Sequence, residues 1–298
     1  LGASNRSKFV LVMSDGVPNR RSTTTCGDLR SVSGASSPLL QAVGDDGLAT
    51  KNFSSIYYPA PTSRDLTSVS VYSSNYALAV DASGYIYAWN GVSWSQSNSL
   101  GGRLNGVSVY SPTLAFAVGV TSNAARLYKW NGSTWALENV PSPSNVELYG
   151  VDVFNLSLAF AVGSNGRFYK WNGSTWSQVN DTGSNVIYSV DVYSSSLAFA
   201  VGSSGKIYKW NGVYWAENAT KSGNTFRSVA INSSSLAFAV ATNGRVSQWN
   251  GASWSSPVQI AQDVLYGVSI LSSNLAYAVG SLNGGIVTWN GTSWTLNQ

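Results

Sequence analysis

Along most of this chain apolar and polar residues alternate in short runs, and the runs recur. Leu148-Tyr-Gly-Val-Asp-Val-Phe154 and Val186-Ile-Tyr-Ser-Val-Asp-Val-Tyr193 both alternate with a period of two, the spacing of a strand with one buried face. A second kind of run follows: Leu158-Ala-Phe-Ala-Val-Gly163, Leu197-Ala-Phe-Ala-Val-Gly202, Leu236-Ala-Phe-Ala-Val-Ala241 and Leu275-Ala-Tyr-Ala-Val-Gly280, with Leu114 to Gly119 and the looser Tyr76 to Asp81 completing the set. Here large residues (Leu158, Phe160, Val162) alternate with small ones (Ala159, Ala161, Gly163). One face of such a sheet is bulky and the other nearly smooth, which suits stacking sheet on sheet. A third run, Arg167 to Trp171, and a fourth starting at Ser174 complete one unit, joined by Ser164-Asn165-Gly166 and Asn172-Gly173. Asn-Gly and Ser-Gly pairs supply the positive φ of tight hairpin turns, so each unit is predicted to be an up-and-down meander of strands a, b, c and d.

The units repeat evenly. All 12 tryptophans fall in the motif Trp-Asn-Gly-x-x-Trp, whose first members are Trp89, Trp130, Trp171, Trp210, Trp249 and Trp289. Four-stranded units of about 40 residues with a recurring aromatic are the sign of a β-propeller. Residues 28 to 64 hold a degenerate further copy: Asp28-Leu-Arg-Ser-Val-Ser33 matches Thr225-Phe-Arg-Ser-Val-Ala230, Leu39 to Gly47 matches Leu158 to Gly166, and Tyr57 stands for the second Trp. The expectation is an all-β chain, a propeller of seven four-stranded blades over 28 to 298, with six as the fallback. The repeats run at about 28–64, 65–102, 103–145, 146–185, 186–224, 225–264 and 265–298. Residues 1 to 27 are left as an N-terminal arm with one apolar strand, Phe9, Val10, Leu11, Val12 and Met13.

Composition narrows the chemistry. The chain has no histidine, so Ser-His-Asp and Cys-His nucleophiles and His-ligated metals are excluded, and its one cysteine, Cys26, excludes an internal disulfide. Charged residues make up 10%, far below the roughly 25% of ordinary soluble domains. The net charge of +4 rests on so few groups that it gives no nucleic-acid signal, and no cofactor is implied. No apolar stretch reaches the ~18 residues of a membrane span. Sequons stand at Asn5, Asn52, Asn131, Asn155, Asn172, Asn180, Asn218, Asn232 and Asn290, and those at Asn131, Asn172 and Asn290 fall in the predicted c-to-d turns, where a glycan leaves the core undisturbed. Sequons and a Ser/Asn/Thr-rich surface point to an extracellular or cell-surface protein.

The text Ala-Val-Gly-x-x-Gly-x-x-Tyr-x-Trp-Asn-Gly-x-x-Trp resembles the Asp-box, or bacterial-neuraminidase, repeat, whose hairpin reads Ser-x-Asp-x-Gly-x-Thr-Trp. It is also similar to the repeats of photosystem II assembly-factor-like propellers, which carry an Ala-Val-Gly strand before that hairpin. The resemblance covers 28 to 298 and implies a fold rather than an activity. This chain places Asn-Gly where the box has its Asp and Gly, which keeps the turn.

Glycosidases of this architecture use convergent carboxylates. The three glutamates here, Glu138, Glu147 and Glu217, sit in or beside d-to-a connections of three different units and form no shared motif. Two sets of cations occupy equivalent positions, Arg126, Arg167, Lys206 and Arg245 opening strand c and Lys129, Lys170 and Lys209 before the first Trp. They read as side chains whose stems cover blade edges, against an anionic-polymer site as the rival. Asp152 and Asp191 share a place in strand a and are expected to line a central channel. The functional expectation is a non-enzymatic structural or adhesive propeller, forming homo-oligomers or a filament by adding the Phe9–Met13 strand to a sheet edge. The rival is a multivalent lectin binding glycans on its indole faces.

Overall fold

The computed structural model describes residues 29–36, 39–44, 48–51, 57–59, 64–281 and 286–297. The arm, with Phe9 to Met13, Cys26 and Asn5, lies outside them, as does Asn52. The described residues form seven antiparallel four-stranded sheets, each in simple chain order and each within one of the expected repeats. Six carry the paired tryptophans; the other, over 29–59, is the degenerate copy. Among the described residues helix is confined to single 3₁₀ turns at Ser164–Gly166 and Ser203–Gly205.

Blade 4 shows the plan: strand a is Leu148–Asn155, b Leu158–Gly163, c Arg167–Trp171 and d Trp176–Asp181. Across the molecule the strands a, from Leu29–Ser36 to Leu265–Ser272, pack each on the next, and the last packs on the first, which closes the ring. This is a β-propeller with four-stranded blades.

What joins blade to blade is an aromatic clasp. Within blade 4, Trp171 ends strand c directly opposite Trp176, which begins strand d. The phenylalanine of the preceding blade's strand b, Phe116, enters between them, 5.4 Å from one ring centroid and 5.0 Å from the other. Phe160 meets Trp210 and Trp215 in the same way, Phe199 meets Trp249 and Trp254, and Phe238 meets Trp289 and Trp294. Each aromatic pair contributes about 0.5–1.5 kcal/mol beyond its buried area. The first indole of each pair also donates from Nε1 to a carbonyl in its own a-to-b turn, as Trp171 does to Leu156 at 3.0 Å and Trp210 to Ser195 at 2.9 Å. In blade 2 the clasping residue is Leu78, and the tryptophans it meets, Trp130 and Trp135, are only half-buried.

The innermost strands pose a second problem, because each has one edge with no strand beside it. Side chains of the preceding blade serve its N–H groups. Ser70 accepts from Val109 N, Ser108 from Val153 N, Asp152 from Val192 N at 2.8 Å and Asp191 from Ile231 N at 2.6 Å. Asp152 and Asp191 are therefore buried between blades rather than lining the channel as expected. A carboxylate can take this inaccessible place because it accepts backbone and hydroxyl donors, Ser108 Oγ among them for Asp152.

Two details of turn and register differ from expectation. Asn165 and Gly166 both have positive φ, as a tight b-to-c turn requires, but in the c-to-d turn only Gly173 does. The pairing of Trp171 with Trp176 leaves a four-residue loop, and Asn172 works by its side chain, Oδ1 accepting from Ser174 N and Thr175 N. In blade 1, Tyr57 pairs with Thr50 and so takes the place of Gln178, which pairs with Tyr169, not that of Trp176. The Ala-Val-Gly text has a steric reason: a Cβ at Gly163 would run into the Glu147 carbonyl where strands a and b draw together.

Removing one clasp tests this account. Phe160→Ala is expected to cost about 3–5 kcal/mol, read as a lowered urea midpoint.

The mouth of the central channel as a candidate site

The b-to-c turns and d-to-a connections gather at one end of the ring, and the a-to-b and c-to-d turns at the other. At the first end the strands a begin, and a cavity of about 170 Å³ opens there. It is lined by the second and third residues of the strands a. The third is always small where it lines the cavity, Ser68, Gly106, Gly150, Ser189, Ser228 and Gly267; at Gly106 a Cβ would approach the Tyr149 carbonyl to 2.9 Å. The serines bind the next blade, Ser68 accepting from Val107 N and Ser189 from Val229 N.

The second position is different. It follows the apolar residue that opens each strand (Leu104 in blade 3, where Arg103 precedes it), and it varies round the ring: Arg30, Thr67, Asn105, Tyr149, Tyr188, Arg227 and Tyr266. Thr67 and Asn105 spend themselves on structure, donating to the carbonyls of Leu104 at 2.7 Å and Leu148 at 2.8 Å in the next blade. The other arc is aromatic and cationic. The Tyr149 and Tyr188 rings meet at 5.3 Å, tilted by 59°, Arg227 lies over the Tyr188 ring at 4.1 Å, and Arg30 over Tyr266 at 5.1 Å. Arg227 Nε has no hydrogen-bond partner among the described residues.

Glu147 anchors one side. Its carboxylate accepts from Asn105 Nδ2 at 2.9 Å and from the Tyr149 hydroxyl at 3.1 Å, with Arg103 Nε 3.9 Å away. Burial first, then the charge of Glu147, pushes the Tyr149 phenol up to about 12. Below pH 10 this has no consequence for stability. As pH rises from 10 to 12 the folded state holds a proton that the unfolded chain has released, so stability falls across that window.

The residues expected from sequence to carry function are dispersed. Glu217 pairs with Lys206 at 2.8 Å, and the hydrogen bonds from Lys206 and Thr220 hold its carboxyl below the usual range. Glu138 is raised by burial, partly offset by Lys129. Of the cations opening strand c, Arg126 donates to the Ala125 carbonyl and Arg245 to Gln259 Oε1, so at least three of the four serve their own blades. Lys129, Lys170 and Lys209 lie over Trp171, Trp210 and Trp249 of the next blade at 4.6, 4.8 and 4.9 Å, adding cation–π attraction to the clasp. No indole is fully exposed: nine of the tryptophans are buried and three half-buried. Asn131, Asn172, Asn218 and Asn290 are exposed, Asn155, Asn180 and Asn232 half-buried. The mouth residues escaped sequence reading; the signal was a position that changes between repeats whose surroundings do not.

No family model matches this chain, and no curated protein does. Solved structures do resemble it. "YCF48 bound to D1 peptide" aligns with TM-score 0.69 at 16% identity over 95% of this chain and 97% of that one. "YCF48 from Cyanidioschyzon merolae" gives 0.69 at 15% over 95% and 100%, and the computationally designed Ika8 protein 0.58 at 11% over 96% of each. The resemblance to photosystem II assembly-factor-like propellers therefore holds as a likeness of fold.

In a spectrophotometric alkaline titration the Tyr149 phenol is expected among the last to ionise, near pH 12, and Tyr149→Phe should remove that late component.

Proposed function

We propose that this chain is a non-enzymatic binding propeller, secreted or displayed at the cell surface, whose Tyr/Arg mouth holds a segment of a partner protein. One observation carries the reading. In a chain where nearly every structural position is repeated, the second residue of strand a varies from blade to blade, and it faces the cavity. Repetition builds the ring; variation at a lining position makes one distinctive surface. Tyr and Arg are also the residues that dominate binding energy at protein interfaces. The cavity of about 170 Å³ is smaller than the ~300–1,000 Å³ of small-molecule sites, a size that suits one or two side chains of an extended segment. That a solved structure of similar fold carries a peptide supports this choice of partner. The non-enzymatic reading is supported by the three glutamates, which lie at separate places in the ring, Glu147 beside Asn105, Glu217 beside Lys206 and Glu138 within the field of Lys129. Selection of a displayed random-peptide library against the whole protein tests the reading. Binders are expected whose affinity falls at least tenfold with Arg227→Ala or Tyr188→Ala; binders indifferent to both substitutions would contradict it.

Self-assembly through the arm is a second reading. The ring closes with residues 29–297 alone, which leaves Phe9–Met13 surplus. The outermost strands of blades 3 and 6 are short, Trp135–Leu137 and Val258–Gln259, so edge positions are available for strand addition. Deleting residues 1–27 is expected to lower the mass measured by light scattering, and an unchanged mass would refute assembly through the arm.

A further inference from the structure

Among the described residues, the six c-to-d turns between paired tryptophans, at the end opposite the mouth, are near-identical in build. In each, the side-chain oxygen of the asparagine after the first Trp accepts from two backbone N–H groups of the loop. Asn131 Oδ1 accepts from Ser133 N and Thr134 N, both at 2.9 Å, and Asn290 Oδ1 accepts from Thr292 N and Ser293 N at the same distances. The turns at Asn90, Asn211 and Asn250 repeat the geometry, the first bond being 2.9 Å in every case. All six asparagines are exposed. They differ in the residue two places on: Ser133, Ser174 and Thr292 make sequons, whereas Val92, Val213 and Ala252 do not.

We infer that Asn131, Asn172 and Asn290 are N-glycosylation sites, so that carbohydrate crowns the end of the ring opposite the mouth. The reaction takes its oligosaccharide from a lipid-pyrophosphate-linked donor. The bond from the sugar's first carbon to the pyrophosphate breaks, the new bond forms to Asn Nδ2, one Nδ2 proton is lost and the lipid pyrophosphate leaves. The folded turn tolerates this because the group that changes is not the group that holds it. Oδ1 keeps both backbone donors, and the remaining Nδ2 hydrogen still serves the 3.2 Å bond that Asn131 makes to Thr134 and Asn172 to Thr175. The hydroxyl that defines each sequon already lies against the carboxamide, Ser133 and Ser174 Oγ at 3.0 Å and Thr292 Oγ1 at 2.9 Å from Oδ1. Asn180 offers the contrast. Its Nδ2 donates to the Trp215 carbonyl of the next blade at 3.3 Å, so a glycan there would stand in a blade junction.

This inference stands on the turns and not on the peptide-binding reading. The test is production of the full chain in a eukaryotic secretory host, with sites mapped by enzymatic deglycosylation in heavy-oxygen water and mass spectrometry. The expected map has occupied Asn131, Asn172 and Asn290 in the folded, secreted fraction and unoccupied Asn180, with Asn90, Asn211 and Asn250 as internal controls. Ser133→Ala, Ser174→Ala and Thr292→Ala, each copying what blade 6 carries at Ala252, should each remove one glycan and leave the protein folded. A folded secreted protein lacking carbohydrate at any of the three turns, or carrying it at Asn180, would overturn the inference.

Discussion

The ring depends on one contact made repeatedly, the phenylalanine of one blade held between the two tryptophans of the next. A four-stranded sheet of about 35 residues cannot bury its own apolar faces, so each blade is stable only against its neighbours. The clasp makes that dependence specific. Phe160 touches both Trp210 and Trp215, and the indole N–H of Trp210 is tied to the Ser195 carbonyl, so the ring fixes where the next blade sits as well as how firmly. Lys170 over Trp210 extends the same junction outward. Towards the axis the junction continues as side-chain acceptors for the open edge of each strand a, serines in most places and Asp152 and Asp191 in two.

These demands consume most of the chemistry in the chain. The indoles are packed, the lysines before them lie on aromatic faces, and Lys206 and Glu217 satisfy each other across strands c and d. At the mouth seven strands deliver second residues of four kinds, Tyr, Arg, Thr and Asn, to one small space. The polar arc of Thr67 and Asn105 is bonded into the ring, whereas the arc of Tyr149, Tyr188, Arg227, Tyr266 and Arg30 brings ring against ring and guanidinium against ring, with Glu147 accepting from the Tyr149 hydroxyl. Arg227, whose Nε has no hydrogen-bond partner among the described residues, keeps that donor.

Much of the fold was legible because repetition averages out local ambiguity. The period of the tryptophans gave the blade length, alternation gave the strands, and Ser164-Asn165-Gly166 gave a turn that has the positive φ its residues suggest. Errors came where the same dipeptide does two jobs. Asn172-Gly173 reads like Asn165-Gly166 but closes a longer loop through its side chain, and only the Trp171–Trp176 pairing distinguishes them. Asp152 looked like a channel residue because periodicity says which face a side chain takes, not whether a neighbouring blade covers that face. The mouth was hidden for a related reason: motif reading rewards what recurs, and the mouth position changes from Thr to Asn, Tyr and Arg round the ring.

The central claim is that recurring positions build the ring and the varying position binds. The most direct test is one scan read twice, for folding by thermal denaturation and for binding with library-selected peptides, comparing Phe116, Phe160, Phe199 and Phe238 with Tyr149, Tyr188, Arg227 and Tyr266. The account predicts that alanine at the phenylalanines lowers the melting temperature, while alanine at the mouth abolishes binding and leaves melting within a few degrees. Mouth substitutions that unfold the ring as severely as the phenylalanine ones, or that leave binding intact, would contradict it.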